Sequence, residues 1–128
     1  MSRLALAFFT AAALCALAGM VWGIQMGMKE NFTLAPAHAH LNLVGWTTLA
    51  LMGAFYALAG ERAPKRLGWI NFALSAAGVV VMIPSLVLLL SSGGKANPGV
   101  IVGSMLALAG MIAFVGSVIS VWRRPALA

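Results

Sequence analysis

The chain has 128 residues, of which 62% are hydrophobic and only 8% charged, and its mean hydropathy is +1.02. A water-soluble domain carries roughly a quarter charged residues, so this composition points to the lipid bilayer as solvent. The formal charge of +6 is spread over loops and ends, with no basic face or basic-aromatic patch, which argues against nucleic acid as a partner.

Leu4 to about Met28 is the first apolar run, long enough to cross about 30 Å of hydrocarbon. Arg3 and the stretch Ala16-Leu17-Ala18 give it the look of a secretory leader. The run continues through Met20, Val21, Trp22 and Ile24, past the end of an ordinary leader, so a span is expected. Lys29, Glu30 and Asn31 make a short polar break. The second span is expected from about Pro36 to Leu58, with proline tolerated at a helix start because its missing N–H has no intrahelical partner there. The charged turn Glu61–Arg66 follows. The third span is expected over 67–90, with Pro84 as a kink, and the fourth over 100–122, ending at Arg123-Arg124-Pro125. The whole chain, 1–128, reads as one all-α, four-helix transmembrane domain.

Arg3, Arg62, Lys65, Arg66, Arg123 and Arg124 fall on one side of such a bundle, and Lys29 and Lys95 on the other. The excess of cations on cytoplasmic loops then predicts both termini in the cytoplasm and the start of the second span at the outer surface. Gly19, Gly23 and Gly27 repeat every four residues, as do Gly99 and Gly103; such stripes let helix backbones approach closely. The single cysteine, Cys15, excludes an intrachain disulfide and reads as a small buried hydrophobe.

The chemistry-bearing stretch is Pro36-Ala37-His38-Ala39-His40-Leu41-Asn42-Leu43-Val44-Gly45-Trp46, which holds both histidines of the protein. A helix turns about 100° per residue, so positions two apart point roughly 200° apart. His38 and His40 therefore cannot share one metal ion from a regular helix; they suit two separate cofactors or two different neighbours. The plain alternative is a pair of wet, hydrogen-bonded residues at a span mouth. Ionisable groups within spans usually have a function, however. Glu30 and Glu61 both lie at span ends, which leaves no carboxylate for a buried proton relay. With one cysteine and no aspartate, a zinc site of three or four protein ligands is hard to build in one chain. Haem asks only for one or two axial imidazoles and an apolar slot between helices. Copper or zinc shared between copies through the same pair remains open.

The stretch Ala37–Trp46 resembles haem-binding segments of the haem-copper oxidase and nitric oxide reductase superfamily, and looks most like short four-span proteins similar to cytochrome oxidase subunit I. In that superfamily the catalytic subunit has twelve spans in three arcs of four, and one helix carries a His-x-His pair whose members ligate two different haems. The resemblance implies one third of subunit I as the fold, and haem b as cofactor. It further implies a homotrimer in which each iron takes His38 of one protomer and His40 of the next. Asn42 shares a face with His38 and is a candidate for the haem edge; Trp46 is a candidate pocket wall; Lys29 and Lys95 are candidates for the propionates. The remaining histidines of a copper or non-haem iron centre are absent, and Tyr56 is the only tyrosine, so no catalytic residue for oxygen or nitric oxide reduction is assigned. Single-electron transfer in a bacterial inner membrane, with an unidentified redox partner, is the expected function. Alternatives are a haem or copper assembly or sensing protein, and a small four-span transporter; the latter lacks a mid-membrane carboxylate.

Overall fold

The structure is a computed structural model that describes residues 1–95 and 97–123. Helices α1 (Arg3–Lys29), α2 (Ala35–His40), α3 (Leu49–Ala59), α4 (Lys65–Ser91) and α5 (Pro98–Trp122) account for most of it. A π-helical segment, Leu41–Thr48, joins α2 to α3, and a 3₁₀ turn, Gly60–Arg62, follows α3. No strand occurs among the described residues. Among the described residues, four helical stretches are long and apolar enough to cross a membrane: Arg3–Lys29, Ala35–Arg62, Lys65–Ser91 and Pro98–Trp122. Each stretch covers one of the expected spans, with slightly wider bounds. Arg124 and Pro125, expected to close the fourth span, lie outside the described residues.

Polar residues in the sequence set the helix ends. The Ser2 hydroxyl accepts from Ala5 N–H at 3.2 Å and so caps α1. At the other end Glu30 takes a left-handed conformation, φ 47° and ψ 31°. Its N–H donates to Gly27 O, and Asn31 N–H donates to Met26 O, which together satisfy carbonyls of the last turn. The Asn31 carboxamide oxygen then accepts from the Thr33 N–H and hydroxyl at 3.1 and 2.7 Å, ordering the connection to α2. Asn97 caps α5 by accepting from Gly99 N–H at 3.0 Å, and its amide donates to Ser85 O of α4 at 3.2 Å. Pro84 sits inside α4, which continues unbroken to Ser91.

The second span departs from the regular helix expected of it. From Leu41 to Thr48 its backbone bonds reach five residues rather than four. The Thr48 hydroxyl donates to Leu43 O at 2.7 Å, five residues back, within this segment. The 100° step therefore applies to the histidines, which lie in α2, and fails for the residues that follow them.

Packing is tightest between α4 and α5. A methyl group on Gly103 would meet the Met82 backbone at 2.6 Å, and one on Gly78 would meet the Ala107 backbone at 2.7 Å. Only glycine permits that approach. Gly99 and Gly103, read as a packing stripe, are the near end of this seam. The main apolar core lies at the opposite end of the bundle from the histidines, where α1 meets α3 through Leu4, Phe8, Leu49, Met52 and Tyr56. Phe8 and Tyr56 stack with centroids 5.4 Å apart, and Phe72 and Phe55 close on them edge-on.

Candidate functional site

Pro36 sits in the first turn of α2 and presets the backbone there, so that His38 and His40 follow within a single short helix. The two imidazoles meet different surroundings. His38 is half-buried in the seam with α1. Its ring stands edge-on to Trp22, centroids 6.0 Å apart and planes at 87°. A methyl group on Gly23 would come within 3.2 Å of the His38 Cε1, so the ring fills the space that glycine leaves.

Asn42 stands one turn further on and closes the same pocket. Its amide donates to the His38 carbonyl at 3.0 Å and lies 3.1 Å from His38 Nε2. On its other side Asn42 rests on Gly19. The glycine stripe of α1 thus has a specific occupant at two of its three positions, His38 at Gly23 and Asn42 at Gly19. Gly27 has no neighbour within 4 Å of where its side chain would be.

His40 is exposed. Its Nδ1 lies 2.8 Å from the Pro36 carbonyl. A carbonyl only accepts, so Nδ1 carries the proton. In the neutral ring the Nε2 lone pair is then left for an outside ligand. A backbone carbonyl that fixes the far nitrogen is the arrangement commonly found behind metal-ligating imidazoles.

The sequence-derived candidates thus separate into two groups. His38 and Asn42 come together; His40 stands apart from them. Trp46 lies in the π-helical segment with 46% of its surface exposed. Lys29 lines a cavity of about 350 Å³ with Trp22, Gln25, Asn31 and Thr33, while Lys95 is exposed. Cys15 is half-buried beside Gly45 of the second span. Among the described residues no cluster of three or more His, Cys, Asp or Glu side chains could hold a metal ion.

Sequence reasoning missed a second polar cluster, at the far end of the bundle. Tyr56 donates to Ser117 Oγ at 2.9 Å and accepts from the Asn71 amide at 3.1 Å; Ser75 donates to the Asn71 carboxamide oxygen at 3.0 Å. Tyr56, Asn71 and Ser117 have at most 1% of their surface exposed. The usable signal was Asn71 and Ser75, four apart within an apolar run and so on one face. This network ties the second span, α4 and α5 together. It has no charged member, and it reads as interhelical bonding.

No family model, curated protein or solved structure matches the chain. What the fold defines is a class: the described residues are all-helical, with four helices long and apolar enough to cross a membrane, consistent with a multi-pass membrane protein.

Proposed function

We propose that this chain is a haem b-binding integral membrane protein that passes single electrons. In this reading three copies assemble, and the bis-histidine haems sit between them. The observation that carries the proposal is the placement of His40, exposed, with Nδ1 held by Pro36 O at 2.8 Å and Nε2 left as a ligand lone pair. His38 supports it by contributing an imidazole in a different environment, which favours different irons for the two rings.

The fit is close at His40 and conditional at His38. Asn42 lies 3.1 Å from His38 Nε2, so ligation there requires the amide to swing aside. Gly19 and Gly23 admit the amide and the ring against α1, and His38 and Asn42 occupy the space these glycines leave. Bound haem supplies a one-electron iron couple. The chain's own part is to orient both imidazoles, exclude water with Trp22 and the apolar helix faces, and place the site near one membrane surface. The cation bias of the loops favours the outer surface, with both termini in the cytoplasm. One His-x-His pair and no further ligand cluster among the described residues favour electron transfer over oxygen or nitric oxide reduction.

A reduced-minus-oxidised absorption spectrum of the purified membrane protein tests this. Sharp, split b-type bands are expected, lost in both His38→Ala and His40→Ala, with three chains per particle in detergent. Full haem content in His40→Ala, or a haem-loaded monomer, overturns the shared-ligand scheme. Copper or zinc with no haem absorbance overturns the haem assignment itself.

A further inference from the structure

The second large cavity lies at the end of the bundle that carries the N-terminus, far from the histidines. It has a volume of about 720 Å³ and opens between α1, α3 and α4. Exposed Arg3 and Lys65 line it together with half-exposed Trp69, half-buried Ala57 and buried Leu4 and Tyr56. The only acidic group lining it, Glu61, is paired with Lys65 at 3.5 Å, and both side chains are about four-fifths exposed. Such a surface pair is weak and readily exchanged for a stronger anion.

The lining is thus two-part, with exposed cations beside apolar side chains that are largely buried. Two further features raise the positive potential there. α1 and α4 both begin beside the cavity, and neither has an acidic residue in its first turn. Arg62, Arg66 and Arg123 add charge at the same end, against Glu61 alone among the described residues. Trp69, nearly half exposed beside a charged rim, suits the boundary between headgroups and hydrocarbon.

We propose that this cavity is a binding site for an anionic phospholipid, its phosphate taken by Arg3 and Lys65 and its upper chain lying against Trp69 and Leu4. The chemistry recognised is a phosphate oxyanion. A lipid rather than free phosphate is favoured because the cavity that carries the two cations is also lined by apolar Leu4, Ala57 and Trp69.

The test uses the full chain in neutral detergent micelles, with quenching of tryptophan fluorescence by phosphatidylglycerol brominated near the headgroup. Saturable quenching is expected, its saturable part reduced in Trp69→Phe and weaker for phosphatidylcholine with the same brominated chains. Removing one cation, Lys65→Gln, should weaken binding about fivefold, and adding Arg3→Gln should weaken it further by a similar factor. Lys65 is exposed, so its single variant keeps the test valid if the double variant loses helix content. Equal quenching by phosphatidylcholine, or unchanged affinity in Lys65→Gln, overturns the proposal. Displacement by inorganic phosphate, but not by chloride at equal ionic strength, moves the site from lipid to free anion and overturns the lipid assignment.

Discussion

Tyr56 Oη donates to Ser117 Oγ across 2.9 Å at a point where neither residue has more than 1% of its surface exposed. The bond joins the second span to α5, and the Asn71 amide completes it from α4 at 3.1 Å. Tyr56→Phe keeps the stacked ring but leaves Asn71 and Ser117 without that partner. A loss of about 1–2 kcal/mol is expected, at the upper end of interhelical bonds in membranes. Thermal unfolding in detergent should show a lower midpoint. Asn71→Ala combined with Tyr56→Phe should cost less than the sum of the single changes, because they remove the same bond.

The α4–α5 seam depends on missing side chains. Gly103→Ala places a methyl group 2.6 Å from the Met82 backbone, which cannot yield without moving a helix. Destabilisation of about 1–3 kcal/mol is expected. Gly27→Ala, where the added group has nothing within 4 Å, should leave the unfolding midpoint almost unchanged.

The Glu30 backbone sits at φ 47°, a conformation costly for a residue with a side chain. Glu30→Gly keeps both capping bonds and removes that cost. It should stabilise the α1–α2 connection by about 1 kcal/mol, read as a higher unfolding midpoint or slower amide exchange at Asn31.

The His38 seam offers a paired test of the proposed cofactor site. A valine at position 23 would push against the His38 ring, while a valine at position 27 would meet open space. Gly23→Val should lower haem content several-fold with helix content intact, and Gly27→Val should not. Equal haem in both would sever the link between the α1 glycines and His38.

The sequence made the four helices legible because length and apolar content alone decide whether a segment suits a bilayer. Helix ends were readable to within a few residues, since Pro64, Asn97 and Pro98 punctuate them. That His38 and His40 lie in different surroundings followed from a two-residue spacing. Their particular neighbours did not, because the docking of α1 selects which ring meets Gly23. The π-helical segment was invisible: nothing in Leu41-Asn42-Leu43-Val44-Gly45-Trp46-Thr47-Thr48 distinguishes a five-residue bond from a four-residue one. The sequence marks Tyr56 only as the sole tyrosine. Its role depends on Asn71 and Ser117, 15 and 61 residues away in sequence.

The Leu41–Thr48 segment has one further consequence. Each wide turn spends an additional residue, so the segment works as an angular offset between the imidazoles and the aromatic core below. The same eight residues wound as an ordinary helix would turn further, so regular winding without any deletion would swing the His38–His40 pair relative to Tyr56, with no change in either end's own chemistry. The membrane-mouth face and the core face of this one rod are therefore set by separate dials, and the first can be re-aimed without unpacking the second.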